Sequence, residues 1–179
     1  MAKLPILIAP EPTLKTVAQP VETVDDRVRQ LLDDMLETMY DAPGIGLAGP
    51  QVGVLERVIV LDAAEKGAPP QPYKLVNPEI IWHGEELATH EEGCLSLPDI
   101  FAEITRPGHV RVRYWDETGA EQILDAEGLL ATVVQHEIDH LNGVLFVDHL
   151  SNLKRNMLMK KLAKQMQKSG KPRYAAATA

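Results

Sequence analysis

The sequence contains a single cysteine, Cys94, and no hydrophobic run long enough to cross a membrane. One cysteine excludes a framework of disulfides within the chain. The opening residues, MAKLPILIAPEP, carry one lysine and an apolar run that Pro5 interrupts, which is too short for a secretory signal peptide. We therefore expect a soluble cytoplasmic protein, in which reducing conditions keep the Cys94 thiolate available to a metal.

The chain also lacks a linker or an internal repeat, and 45% of its 179 residues are hydrophobic. We therefore expect one compact catalytic domain that spans residues 1–179. Residues 151–179 carry eight of the 18 Lys and Arg residues and none of the 26 Asp and Glu residues, which leaves ten bases against 26 acids elsewhere. Apolar residues recur there at helical spacing and predict a basic amphipathic C-terminal helix: Leu153, Met157, Leu158, Leu162 and Met166. The final PRYAAATA is expected to be disordered.

The segment HEIDH, from His136 to His140, sets two histidines four residues apart with a glutamate after the first. On a helix, positions i and i+4 share a face, so both imidazoles can bind one divalent cation while Glu137 acts on the cation's water. The motif predicts a metal-dependent hydrolase. Several protease families share it and differ in their third protein ligand.

The residues after HEIDH exclude the usual sources of that third ligand. Phe146 stands where one protease pattern has a third histidine, and no Asp or Glu follows Asp148 that a later helix could supply. Asp148 and His149 are closer, but we expect Gly143 to end the helix and VLFV to carry both away as a strand. A lone cysteine is more often a small buried hydrophobe. Because the alternatives fail, Cys94 is favoured, and a thiolate with two imidazoles forms a sound tetrahedral set.

With Cys94 joined to HEIDH, the sequence resembles the bacterial peptide deformylases. Three motifs of that family occur in order, as GIGLAGPQVG at 44–53, EEGCLSLP at 91–98 and QHEIDHLNG at 135–143. The resemblance covers nearly the whole chain. One departure is Gly49, where members of the family usually have a second alanine, and a glycine there is expected to loosen the loop that positions Gln51.

The resemblance implies an enzyme that removes the N-formyl group from the N-terminal formylmethionine of newly synthesised proteins and releases formate. Cys94, His136 and His140 would hold the metal, and Glu137 would carry the proton. By resemblance, the Gln51 side chain and the Leu95 backbone N–H would stabilise the oxyanion. Family analogy places Gly46 along the substrate backbone and the remaining substrate-binding residues around the methionine side chain: Ile45, Glu92, Leu129 and Val133. Glu92 is also expected to pair with Arg106 and support the site.

A thiolate with two imidazoles would accept zinc, nickel, cobalt or iron, and the resemblance implies one Fe²⁺ per chain. It also implies nascent formyl-Met polypeptides as substrates. We expect the protein to be a monomer. The basic C-terminal helix suits docking to ribosomal RNA through its phosphates. The simpler interpretation is that this helix packs by its apolar stripe and leaves a solvated basic face.

Residue periodicity predicts an α+β fold. Residues 25–41 are expected to form a helix, and strands are expected at RVIVLD, YKLVNPEII, ELATHE, HVRVRYWD and EQILD, joined as hairpins. Asp125 is expected to cap the HEIDH helix, which is apolar around most of its circumference and therefore buried. The result would be antiparallel sheets wrapped around a central buried helix, followed by the C-terminal helix.

Two other functions share part of this evidence. A zinc endopeptidase would use HEIDH but lacks a third ligand other than Cys94. A structural metal site in a binding protein would usually close with a fourth protein ligand, which is not evident, and would leave Glu137 without a purpose. The roles of three histidines outside the motif stay open, and most of them are expected at the surface: His83, His90 and His109.

Overall fold

The computed structural model describes residues 2–169. Its helices are α1 (Asp26–Asp41), α2 (Gly128–Leu141) and α3 (Asn152–Lys168). Its strands are β1 (Gly46–Ala48), β2 (Val58–Leu61), β3 (Tyr73–His83), β4 (Leu87–Cys94), β5 (Leu97–Pro107), β6 (His109–Trp115) and β7 (Glu121–Glu127). Short 3-10 turns occupy Pro12–Lys15, Gly49–Val52 and Phe146–His149. The segment PRYAAATA, expected to be disordered, lies outside the described residues.

The strands form two antiparallel sheets. Five of them pair in the order β1-β2-β3-β6-β7, and β4 and β5 form a separate two-stranded hairpin. Neighbours in the chain pair directly in most cases, as expected for hairpins rather than for crossover units. The predicted α+β class is confirmed.

The five-stranded sheet is buried on both faces around β2. Val58 and Val60 point toward α1, whereas Ile59 and Leu61 point toward α2, because alternate residues of a strand face opposite sides. All four side chains are fully buried. The motif-bearing helix α2 is therefore held between this sheet and the rest of the molecule, as the sequence predicted.

Helix α1 begins one residue after Asp25, whose side chain accepts a hydrogen bond from the Val28 N–H at 3.0 Å. The start of α2 differs from the prediction, because Asp125 does not cap it. Asp125 lies inside β7, opposite Arg111, and bonds His109 and Arg111 across the ladder. The chain leaves β7 only at Gly128, which has a positive φ of 59°.

The predicted strand at VLFV was also wrong. Residues 146–149 form a 3-10 turn, which the Asp148 carboxylate closes by accepting the Leu145 N–H at 2.8 Å. Leu145, Phe146 and Val147 are all buried, and three consecutive buried side chains do not fit the two-faced alternation of a strand beside solvent. Phe146 also stacks on the His136 ring, with 5.9 Å between centroids.

Helix α3 packs only part of its apolar stripe. Leu162 and Met166 are buried against the β4–β5 hairpin and the segment around Ile8. Leu153 and Met157, at the start of the stripe, are 83% and 60% exposed. No helix in the described part of the chain combines the length and the apolar character that a membrane crossing would need.

Candidate metal centre and its pocket

Three predicted ligands meet where the end of β4 lies beside α2. The Cys94 Sγ lies 3.3 Å from the His140 Nε2, and the His140 Nε2 lies 3.2 Å from the His136 Nε2. The two histidines share a face of α2 because they are one helical turn apart. Among the residues that the structure describes, no other group of three His, Cys, Asp or Glu side chains converges in this way.

These separations suit one tetrahedral cation. Metal bonds of about 2.1 Å to nitrogen and about 2.3 Å to sulfur put ligand atoms roughly 3.5 Å apart. Burial, followed by the charges of His136 and Arg106, lowers the pKa of His140 well below its ordinary value, so this ring offers a free lone pair. Burial opposes protonation of His136 as well, but its bonds to Cys94 and Glu92 raise its pKa. A cation would take the place of that proton.

A chain of hydrogen-bonded groups, buried at Glu92 and Arg106 and reaching the surface at His149, supports His136. The Glu92 carboxylate accepts a hydrogen bond from the His136 Nδ1 at 2.9 Å and a bidentate pair from Arg106 at 2.7 and 3.0 Å. Arg106 also donates to Asp139 at 2.8 Å, and Asp139 accepts from His149 at 2.8 Å. Burial would raise the pKa of Glu92, but the bonds from His136 and Arg106 lower it to about 2. Glu92 therefore stays ionised and fixes the ring of His136.

Glu137 occupies a different environment from Glu92. It is 4% exposed, its Oε1 has no hydrogen-bond partner among the described residues, and its Oε2 lies 4.0 Å from the His136 Nε2. Burial raises the pKa of Glu137 to about 7. A Cβ on Gly46 would come within 2.4 Å of the Glu137 Oε2, so only glycine at position 46 lets the β1 backbone approach this carboxyl group.

Gln51 is buried beside the ligands and firmly held. Its Oε1 accepts the Ala48 N–H at 2.9 Å, and its Nε2 donates to the Ser96 Oγ at 3.1 Å and the Cys94 Sγ at 3.4 Å. The loop before it is also tight, since a Cβ on Gly49 would lie 2.6 and 2.7 Å from two backbone oxygens. The expectation that Gly49 loosens this loop was therefore wrong, because the glycine permits a close backbone approach.

The site opens into a pocket of about 610 Å³. Every predicted site residue lines it except His140, which lies beneath the surface and is 1% exposed: Ile45, Gly46, Gln51, Glu92, Cys94, Leu95, Leu129, Val133, His136 and Glu137. The structure thus brings the predicted set together.

Sequence reasoning missed other parts of the pocket wall. Ile6, Ile8, Phe101 and Thr132 also line it. The N-terminal segment is held at the site by the hydrogen bond from the Leu7 N–H to the Gln51 carbonyl at 2.8 Å, and no local sequence pattern predicts such a contact. Thr132 could have been predicted, since it lies one turn of α2 before His136 and on the same face.

The histidines expected at the surface divide into two groups. His83 is exposed, whereas His90 and His109 are half-buried. His109 bonds Asp125 at 2.6 Å, and the His90 Nδ1 lies 3.0 Å from the Thr132 Oγ1. The expectation was therefore right for His83 alone.

Comparison with known proteins gives consistent matches. The sequence profile of the family described as polypeptide deformylase matches residues 3–156. The chain is 53% identical over 166 residues to the peptide deformylase of Rhizobium meliloti, covering 93% of this chain and 95% of that protein. It is 56% identical over 164 residues to that of Phenylobacterium zucineum, covering 92% and 97%.

Solved structures resemble the fold over the same length. The peptide deformylase of Ehrlichia chaffeensis in complex with actinonin superposes with a TM-score of 0.88 at 42% identity, covering 92% of this chain and 98% of that one. The peptide deformylase of Legionella pneumophila gives 0.87 at 44% identity, covering 96% and 99%.

Arg106→Met should destabilise the fold by about 3–5 kcal/mol, because it leaves the Glu92 carboxylate buried without its partner. Urea unfolding at neutral pH measures this. The loss should shrink as the pH falls from 4.5 toward about 2, since the lowered pKa of Glu92 contributes stability above that range that disappears on protonation.

Two further variants control this test. Arg113→Met breaks the exposed pair with Glu79 and should cost less than about 1 kcal/mol. Adding Glu92→Gln to Arg106→Met removes the unpaired charge and should recover part of the loss. An Arg106→Met protein no less stable than Arg113→Met would contradict the prediction.

Proposed function

The chain belongs to the polypeptide deformylase family, and we propose that the cluster at the floor of its pocket is the catalytic centre. Members of this family are metal-dependent enzymes that remove the N-formyl group from nascent polypeptides, and this chain is one of them. The observation that carries the proposal is the convergence of the Cys94 Sγ and the Nε2 atoms of His136 and His140 beside the buried Glu137.

Cys94, His136 and His140 would hold the cation through one sulfur and two nitrogen atoms. When bound, the cation would supply Lewis acidity to a water molecule and to the formyl oxygen. Glu92 keeps the Nδ1 of His136 occupied, so that the Nε2 faces the cation. The Glu92 carboxylate bonds both His136 and Arg106, so its charge supports the metal ligand His136. Glu92 contributes to the substrate pocket only as part of its wall.

Glu137 would accept a proton from the attacking water and return it to the leaving amine nitrogen. Two features support this role. Its buried Oε1 has no partner among the described residues, so its capacity to accept a hydrogen bond is unused. Gly46 approaches the same carboxyl group closely and shields it from bulk solvent. Gly46 also lies where the substrate backbone would pass.

The Gln51 side chain and the Leu95 backbone N–H would stabilise the negative charge that develops on the formyl oxygen. Gln51 is pre-oriented, since its Oε1 and Nε2 are both anchored. The long contact from its Nε2 to the Cys94 Sγ, at 3.4 Å, is the one that the oxyanion would replace. Leu95 directly follows the cysteine ligand and lines the pocket.

The methionine side chain of the substrate would lie against Ile45, Leu129 and Val133. Ile45 and Leu129 are 48% and 46% exposed, so their apolar surface is available to a partner. Removing this surface from water contributes about 25 cal/mol per Å² to binding. The pocket would thereby favour a long apolar first residue.

We propose Fe²⁺ as the metal in the cell, one per chain, with Zn²⁺, Ni²⁺ or Co²⁺ as substitutes. The thiolate and imidazole donors accept all four. Metal analysis of protein prepared without oxygen should give about one iron per chain, and exposure to air should reduce activity as iron or Cys94 is oxidised. Fully active protein that carries zinc alone would contradict this proposal.

The basic face of α3 is proposed to dock on ribosomal RNA. Lys154, Lys160, Lys161 and Lys164 are exposed on it, and the exposed Leu153 and Met157 leave apolar surface beside them. Because phosphate contacts release counterions, co-sedimentation with ribosomes should weaken steeply as salt rises. Replacing the four lysines by glutamine should abolish it without lowering peptide turnover. Unchanged co-sedimentation would contradict the proposal.

We propose that residues 1–179 form one catalytic domain that acts as a monomer in the cytoplasm, with 151–179 as its basic helix and tail. The continuous packing of α3 on the hairpin supports one domain. Light scattering at working concentration tests the monomer, and a dimer mass would contradict it.

Glu137→Ala should lower formate release from formyl-Met peptides by about 10²–10⁴-fold, because the proton carrier is lost, while the metal content stays at the parent level. Formate release and metal analysis on the same preparation measure both. Glu103→Ala, at an exposed position on β5, is the matched control. Formate release by the Glu137→Ala protein at the level of the Glu103→Ala control would overturn the mechanism, and cleavage of unformylated peptides by the parent would indicate an endopeptidase.

A further inference from the structure

Strand β4 and helix α2 meet in a regular series of side-chain pairs. The Cys94 Sγ meets the His140 Nε2 at 3.3 Å, and two residues earlier on the strand the Glu92 Oε1 meets the His136 Nδ1 at 2.9 Å. Two residues of strand advance about 6.7 Å, and four residues of helix advance about 6.0 Å. The two repeats nearly match, so the series can continue.

The series does continue for one more pair, away from the metal centre. The His90 Nδ1 lies 3.0 Å from the Thr132 Oγ1, two residues before Glu92 on β4 and four before His136 on α2. The proposed chemistry does not use this pair. Thr132 is 6% exposed, so its hydroxyl has little access to solvent, and His90 satisfies it. A buried hydroxyl that loses its partner is costly.

The His90–Thr132 pair holds the part of α2 that lines the substrate pocket. Thr132 lies between Leu129 and Val133, and all three line the pocket. Helix α2 starts at Gly128 without a side-chain cap, so its first turns depend on contacts with neighbouring elements. Gln135 gives a second tether through the Pro107 carbonyl at 2.8 Å, one turn further on.

We propose that His90, acting through Thr132, positions the wall of α2 that receives the first side chain of the substrate. His90 is thus a positioning residue that determines specificity without touching the substrate. The inference rests on the proposed placement of the methionine side chain against Leu129 and Val133. Losing the pair lets this wall shift, which weakens the fit to a long side chain more than the fit to a short one.

The test compares formyl-Met and formyl-Ala peptides of otherwise equal sequence, with kcat and KM measured separately. His90→Leu should raise KM for the formyl-Met peptide roughly fivefold, the size of one lost hydrogen bond, and change KM for the formyl-Ala peptide much less. kcat and metal per chain should stay near parent values, because the ligands lie one turn (His136) and two turns (His140) further along α2 and Glu92 holds His136 without help from this pair. Thr132→Val, nearly the same shape without the hydroxyl, should have the same effect.

Three further variants sharpen the comparison. His90→Asn keeps a polar atom near the position of the Nδ1 and should restore most of the preference for formyl-Met. The double variant His90→Leu with Thr132→Val should be no worse than either single change, since both remove one bond. His83→Leu replaces an exposed histidine that bonds only its neighbour Gly84 among the described residues and is the control.

Several results would overturn the inference. One is a formyl-Met preference in His90→Leu and Thr132→Val equal to that of His83→Leu. Another is a His90→Asn protein as impaired as His90→Leu, which would indicate shape rather than the hydrogen bond. An equal loss of turnover of both peptides, accompanied by loss of bound metal, would indicate general unfolding. Leu129→Ala tests the proposed placement of the methionine side chain separately from the role of His90. If this variant leaves the preference for formyl-Met unchanged, that placement is itself wrong.

Discussion

The register of β4 along α2 is the constraint on which the rest of this molecule depends. A strand and a helix that run side by side repeat at nearly equal distances when two strand residues match four helix residues. Cys94 and Glu92 both point at α2 because they are two residues apart. A slip of one residue would turn both away from the helix, and the ligand cluster and its support would be lost together.

The five-stranded sheet makes this register rigid. Helix α2 is packed against the sheet by Val134, Ile138 and Leu141, while α1 covers the opposite face. Because the sheet is packed by helices on both faces, it is a rigid support, and α2 has little freedom to rotate about its own axis against it. The packing of α2 therefore keeps the ligand side chains facing one another, together with the polar groups around them.

Two buried carboxyl groups near the ligands acquire opposite properties from their surroundings. Glu92 accepts hydrogen bonds from His136 and Arg106, which lower its pKa to about 2, whereas Glu137 has no such bond among residues 2–169 and burial raises its pKa to about 7. One is a fixed charge and the other can exchange a proton near neutrality. The difference lies in the hydrogen bonds that Glu92 receives from His136 and from Arg106, which comes from β5 and reaches Glu92 across the hairpin.

The sequence predicted the parts of this architecture that local patterns encode. The spacing in HEIDH, the apolar stripe of α1 and the elimination that favoured Cys94 all concern residue types at fixed intervals. The errors at Asp125 and VLFV arose where a cross-strand partner or complete burial outweighed local preference. The contribution of Ile6 and Ile8 to the pocket depends on contacts between distant segments, which no single window of sequence contains.

The packing of α3 against the segment around Ile8 has a consequence for the order in which the protein folds. Ile8 and Met166 belong to one cluster, although more than 150 residues separate them along the chain. Closing so long a loop is slow and comes after local structure has formed. The sheet and α2 can assemble earlier, and backbone bonds from Leu7 to Gln51 and from Ala9 to Ser96 can hold the segment around Ile8, but its apolar cluster is complete only when α3 has docked. A ribosome making this protein therefore releases nearly the whole chain before the cluster that supports this wall of the pocket is complete.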